Sequence, residues 1–78
     1  MTIKLTDPIT ACNVSSDGTK IISASKDCII RIFNAQTGRE IMSMIGHSNW
    51  ITSISFSPDN LLILSSSWDE TCKIWDGK

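Results

Sequence analysis

The segment Ile9-Thr10-Ala11-Cys12-Asn13-Val14-Ser15-Ser16-Asp17-Gly18 returns 42 positions later as Ile51-Thr52-Ser53-Ile54-Ser55-Phe56-Ser57-Pro58-Asp59-Asn60. The same offset carries Lys26-Asp27-Cys28-Ile29-Ile30-Arg31-Ile32-Phe33-Asn34 onto Trp68-Asp69-Glu70-Thr71-Cys72-Lys73-Ile74-Trp75-Asp76 without a gap. A period of this length marks a repeat architecture. Each unit of such an array is one supersecondary element that buries its apolar faces only against neighbours on both sides. Two units therefore form a pair with one satisfied interface and two faces that still need cover.

Within each unit the local signals are those of strands. Lys20-Ile21-Ile22-Ser23-Ala24-Ser25 and Leu61-Leu62-Ile63-Leu64-Ser65-Ser66-Ser67 are short apolar runs ending in small polar residues, and the segments 28–33 and 71–75 are rich in β-branched and aromatic side chains. Such compositions suit a pleated, packed surface. Turn chemistry separates them at Asp17-Gly18, Thr37-Gly38 and Pro58-Asp59-Asn60. Gly and Asn tolerate positive φ, and Asp bonds back to its own backbone. No long window repeats apolar residues at helical spacing, so helices are not expected. The first unit predicts strands over 9–14, 20–25, 28–34 and 39–45, and the second over 50–56, 61–67 and 71–76. The segment 2–5 supplies one more extended piece. Each unit is a meander, and the second lacks its last strand. This divides the chain into a leading strand (1–8), a first repeat (9–49) and an incomplete second repeat (50–78).

Seven basic residues face eight acidic ones, for a formal net charge of −1. With no basic patch, a nucleic-acid partner is not expected. No apolar run approaches the roughly 20 residues a bilayer span needs, and residues 1–7 lack the apolar stretch of a secretory signal. Three well-separated cysteines, Cys12, Cys28 and Cys72, make neither a disulfide framework nor a zinc site. They are read as reduced, buried small hydrophobes in an intracellular protein, cytoplasmic or nuclear. No cofactor motif and no metal-ligand spacing occurs, so neither cofactor nor metal is expected.

The second unit opens on Gly46-His47, places Ser57-Pro58-Asp59 at its first turn and Ser65-Ser66-Ser67-Trp68-Asp69 at its second, and closes on Trp75-Asp76. A Gly-His…Trp-Asp pair at this spacing resembles the WD-repeat β-propeller family. The resemblance covers the chain from about Ile9 to Asp76. It implies an all-β fold made of two four-stranded antiparallel blades, the second lacking its last strand. The first unit departs from the pattern, with Lys4-Leu5 in place of Gly-His and Phe33-Asn34 in place of Trp-Asp.

The resemblance also implies a structural hydrogen-bond network of His47, Ser65, Asp69 and Trp75. Asp69 accepts from an imidazole N–H, the other ring nitrogen accepts from the Ser65 hydroxyl, and that oxygen accepts from the Trp75 indole. A hairpin pivoting near Asp69-Glu70 would set Ser65 opposite Trp75, and Ser67 shares the parity of Ser65 and is a second candidate. In the first unit Asp27 and Ser23 remain, but Phe33 has no N–H and no histidine is available, so that network should be incomplete. Ser65, His47 and Asp69 could also be read as a nucleophile, base and orienting carboxylate. That reading lacks a Gly-x-Ser-x-Gly elbow and has Trp75 capping the hydroxyl, so the chain is not expected to be an enzyme.

Trp50 and Trp68, with Thr52 beside them, stand where the family exposes residues on one rim of the propeller, and the first unit offers Pro8, Thr10 and Lys26 at the same places. Large aromatics on a rim are frequent binding anchors. The resemblance implies a scaffold or adaptor that binds other proteins, with no membrane role. Closed propellers hold roughly four to eight blades. Two blades are therefore read as a fragment of a larger propeller, as a self-assembling unit of a homo-oligomeric ring, or as a piece completed by a different propeller chain.

Overall fold

The computed structural model describes residues 8–76. The leading strand expected over 2–5 and the pair Gly77-Lys78 lie outside the described residues. Seven strands follow one another: β1 (Ile9–Val14), β2 (Lys20–Ser25), β3 (Ile29–Asn34), β4 (Glu40–Ile45), β5 (Ile51–Phe56), β6 (Leu62–Ser67) and β7 (Cys72–Asp76). Strands β1-β2-β3-β4 make one antiparallel meander and β5-β6-β7 a second.

Five strands begin one residue later than the sequence predicts, for a common reason. The leading N–H of each is committed to a turn. Cys28 N donates to Ser25 O, Arg39 N to Thr37 Oγ1, Trp50 N to Asn49 Oδ1, Leu61 N to Asp59 Oδ1 and Thr71 N to Asp69 Oδ1. The turns themselves repeat. Gly18 and Asn60, 42 residues apart, take φ of 73° and 62°, and Cys28 and Glu70 take 67° and 71°. Asn relieves part of the cost of this left-handed backbone, whereas Cys and Glu bear it at roughly 1–2 kcal/mol each.

The β6–β7 hairpin differs from expectation in register. Ser65 lies opposite Lys73, and Trp75 opposite Ile63. The hairpin is centred on Asp69, because Glu70 N closes the turn on Ser67 O and Ser67 N reaches Thr71 O. Trp75 is thus the diagonal neighbour of Ser65 on the same face, a separation that a long aromatic side chain spans.

The two sheets meet through β1 and β5, with β2 also touching β5. Ile22, Ala24, Ile30 and Ile32 from the first sheet are packed with Ile51, Ile54 and Ile63 from the second, and Met44, Phe56 and Trp75 close the margin. The side-chain alternation of strands makes this possible, since pairs such as Ile22–Ile32 and Phe56–Ile63–Trp75 each stand on one face. Polar bonds reinforce the contact. Asn13 Nδ2 donates to Ile54 O, and the Asn60 side chain both accepts from Ser16 N (3.1 Å) and donates to Ser16 Oγ (2.8 Å).

The cysteines correct an expectation. All three are free, but Cys12 and Cys72 are exposed and Cys28 is half-buried at its positive-φ turn. Cys12 and Cys72 stand on the two outward faces of the sheet pair, opposite to the faces that carry the core.

Candidate functional site

Two features are built around the turn between the second and third strands of each sheet. One is a buried polar network and the other an exposed aromatic cluster.

The network begins at Gly46-His47, in the connection between β4 and β5. A Cβ placed on Gly46 would stand 2.6 Å from Cη2 of Trp75. The glycine therefore lets the indole lie against the backbone, and the indole in turn packs edge-on to the His47 ring at 6.2 Å between centroids. His47 Nδ1 is 2.8 Å from Asp69 Oδ2, and His47 Nε2 is 2.7 Å from Ser65 Oγ. Trp75 Nε1 donates to Ser65 Oγ at 2.8 Å. With the proton on Nδ1, Asp69 accepts from the imidazole and Nε2 accepts the Ser65 hydroxyl proton, so every group is satisfied. Asp69 also accepts from the Thr71 hydroxyl, Thr71 N and Ser48 N. These donors, the Thr71 hydroxyl foremost and the imidazole next, hold its carboxyl well below the usual carboxylate range. Ser67, the alternative serine, points elsewhere. Its hydroxyl lies 3.0 Å from the carbonyls of Asn49 and Trp50 and accepts from Asp69 N.

The Ser65–His47–Asp69 distances would suit proton relay, but the surroundings do not suit catalysis. Ser65 is 3% exposed and His47 5%, and the serine oxygen already accepts the indole N–H. The bonds tie the β4–β5 connection at His47 to β6 at Ser65, to the turn at Asp69 and to β7 at Trp75, which is the arrangement of a brace.

In the first unit the same positions behave differently. The Ser23 hydroxyl is buried and has no hydrogen-bond partner among the described residues, because Phe33 replaces the indole donor. Asp27 does not turn to Ser23. It accepts from the Ser25 hydroxyl (2.5 Å), and the Arg31 guanidinium donates to both its oxygens and to Ser25 Oγ. Arg31 Nε also lies 3.5 Å from Glu40. The guanidinium, and then Ser25, lower the Asp27 pKa to about 2. Sequence reasoning missed Arg31, Ser25, Glu40 and Thr71. The available signal was an Arg four residues after the turn Asp, replacing Lys73 of the other unit.

The rim residues gather at one end of the sheet pair. Trp50 and Trp68 stack with centroids 5.1 Å apart and planes at 28°, and Lys26 Nζ sits 4.5 Å from the Trp50 ring centroid. Trp68 remains 62% exposed and Trp50 36%. Pro8 is exposed alongside, its carbonyl accepting from Lys26 N. Thr10 and Thr52 occupy equivalent register shifts, where their hydroxyls donate to Ala24 O and Ser66 O. The threonines thus close bulges, while the aromatic and cationic groups face outward. Among the described residues no cluster of His, Cys, Asp or Glu is spaced to hold a metal, and no helix is long and apolar enough to cross a membrane.

Comparison with known proteins agrees with this architecture. The family described as "WD domain, G-beta repeat" matches residues 2–34 and 38–76. Each match ends with the third strand of a sheet, so the second begins before β4 and links the two sheets. Lissencephaly-1 homolog 1 of Paramecium tetraurelia is 38% identical over 58 residues, covering 74% of this chain and 14% of that protein. WD repeat-containing protein 1 of Gallus gallus is 42% identical over 65 residues, covering 80% of this chain and 11% of that protein. The chain thus spans a small part of the length of these relatives. A solved structure titled "Structure of U3-55K" superposes with a TM-score of 0.89 at 26% identity, over 95% of this chain and 24% of the other. Repeats, sheets and relatives agree: this chain belongs to the WD-repeat family of β-propeller proteins.

Proposed function

We propose that this chain is a protein-interaction module and that its partner is held at the Lys26–Trp50–Trp68 rim. The carrying observation is the stacked tryptophan pair, which leaves Trp68 62% exposed and belongs to neither the aliphatic core nor its margin. Stacked, pre-ordered aromatics offer large contact area at little further entropic cost, which is the usual character of a binding anchor. The cation beside them favours a partner that brings a carboxylate or carbonyl to Lys26. The bulges at Thr10 and Thr52 fix the backbone beneath the cluster, so function rests on rigid elements with chemistry confined to the rim. The two sheets are part of a larger ring, intracellular in setting, and catalysis plays no part.

Affinity capture from a lysate of the source cells, with the chain as bait and Trp68→Ala and Trp50→Ala as controls, tests this. The expected outcome is loss of a co-purifying protein on either substitution, with the melting temperature within about 2 °C of the parent for Trp68→Ala. Retention of every partner by both variants would overturn the assignment, as would a large loss of melting temperature for Trp68→Ala.

A further inference from the structure

Strand β4 carries a palindrome. Ile41-Met42-Ser43-Met44-Ile45 reads the same in both directions about Ser43. The strand is also an edge of its sheet among the described residues, with β3 on one side and no strand on the other. That edge stays bare however many sheets are stacked in series. The two sheets meet face against face through β1 and β5, and a further sheet stacked in the same way would cover a face. Edge strands present a row of unpaired N–H and C=O groups, which natural chains guard with charges, prolines or bulges. Residues 41–45 hold no charge and no proline. Ile45 is 75% exposed, Ile41 48% and Met42 38%. The one guard is a bulge at the start of the strand: Met42 pairs with Ile32 and Glu40 with Phe33, so Ile41 is the extra residue. From Met42 to Ile45 the ladder is regular.

We infer that β4 is a self-pairing edge, and that a second copy of this chain adds its own β4 antiparallel to it across a twofold axis through Ser43. The palindrome singles out this occupant. With Ser43 opposite its counterpart, each Met42 meets a Met44 and each Ile41 an Ile45, in both directions at once. Met42 and Met44 stand on the face that carries Ile32 and Ile30, where Met44 already borders the core. Four methionines would thus extend the two cores toward each other, and methionine adapts readily to a new neighbour. Ser43 and Ile45 share the opposite face with Arg31 and Ile29, and directly opposed pairs of this kind are the unit of sheet stabilisation. Charge does not oppose the pairing. Glu40 would fall opposite Gly46, and its carboxylate already lies 3.5 Å from Arg31 Nε. Such an interface is isologous and closes at two copies. Strand β4 runs toward the rim, since Ile45 lies beside Ile29, just after the Lys26 turn. Antiparallel pairing therefore sends the two rims to opposite ends of the dimer. A contact of one short strand belongs to the weak, transient class.

Oxidative cross-linking of Ser43→Cys in the 78-residue chain tests this, with peptide mass mapping to tell the new thiol from Cys12, Cys28 and Cys72. Directly opposed residues of an antiparallel pair have Cα atoms about 4.5 or 5.5 Å apart, within the roughly 4.4–6.8 Å that a disulfide needs. The expected result is a 43-to-43 linkage that forms at least about tenfold faster than the 36-to-36 linkage of Gln36→Cys, an exposed loop control. An equimolar mixture of Ile41→Cys and Ile45→Cys should link 41 to 45 in preference to either homodimer, which fixes the antiparallel register. Adding Ser43→Lys to both of these chains should bring that linkage down to the control rate, while circular dichroism shows the strands retained, since Ser43 is exposed. A Ser43→Cys rate no greater than the control would overturn the inference. So would fast 45-to-45 linkage, which parallel pairing would give, or 41-to-45 linkage that survives Ser43→Lys. Rim binding, measured by loss on Trp68→Ala, is unaffected by these outcomes, so the two readings fail separately.

Discussion

Gly46→Ala tests how tightly the buried network depends on one missing methyl group. The backbone at Gly46 does not lie in the left-handed region, so alanine would ordinarily stabilise by about 0.4–1 kcal/mol through the unfolded state. Here the new Cβ would meet Trp75 Cη2 at 2.6 Å, with Cζ2 at 3.4 Å and Cζ3 at 3.5 Å. Relieving the first contact requires the ring to move by roughly 1 Å, and overpacking of this kind costs about 1–3 kcal/mol. The same movement pulls Nε1 away from Ser65, forfeiting a hydrogen bond worth about 1 kcal/mol. The net expectation is a loss of about 2 kcal/mol, which for a domain of this size lowers the melting temperature by roughly 10 °C. The decisive measurement is a double-mutant cycle with Trp75→Phe, read by urea and thermal unfolding. A phenyl ring ends short of the Cη2 position and has no N–H to lose, so Gly46→Ala should be almost neutral in that background. A coupling energy of about 1–2 kcal/mol is expected. Additivity within about 0.5 kcal/mol would refute the reasoning, since the two sites would then not communicate through the indole.

Ser65→Ala should cost about 2–3 kcal/mol because it strands both the imidazole Nε2 and the indole N–H, whereas Ser23→Ala should be neutral or stabilising because its hydroxyl has no partner among the described residues; urea midpoints of the two variants check this contrast. Acid should destabilise the chain. The folded pKa of Asp27 lies at about 2 and those of Asp59 and Asp69 lie below the ordinary value, so the stability they contribute is present above about pH 4 and is lost as pH falls toward 2. Melting temperatures measured from pH 6 down to pH 2 should fall across that window, and Asp27→Asn should lessen the fall.

The strand order was legible because it is written locally. Alternating apolar residues, Asp-Gly and Pro-Asp-Asn turns, and the repeat offset define seven strands to within a residue. What escaped depends on backbone states or neighbours that composition does not announce. Glu70 at positive φ sends no signal of the kind Gly or Asn would, so the centre of the β6–β7 hairpin was misplaced and the partner of Ser65 with it. Cys12 and Cys72 occupy positions of core type, and only the presence or absence of a facing sheet decides whether such a position is buried. Arg31 looked like a polar interruption of the run Ile29-Ile30-Arg31-Ile32, because its partners Ser25, Asp27 and Glu40 converge only after three strands have paired.

The two networks differ in what they tie together, and the sequence divergence between the units follows from that. His47 lies in the connection that leaves β4 of the first sheet and enters β5 of the second, so bonding it to Ser65, Asp69 and indirectly Trp75 pins the link between sheets to the body of the second. An enclosed set of hydrogen bonds suits a site little affected by salt. The Asp27–Arg31–Glu40 set instead ties the turn before β3 to the first residue of β4, an edge strand among the described residues whose first three residues are exposed. At such an edge a flexible guanidinium can hold two carboxylates while its stem covers the sheet, and no fixed histidine is required. The first sheet, with Phe33 in place of the indole, thus links its β2–β3 turn to β4 through charge. The Ser23 hydroxyl is left without a hydrogen-bond partner among the described residues.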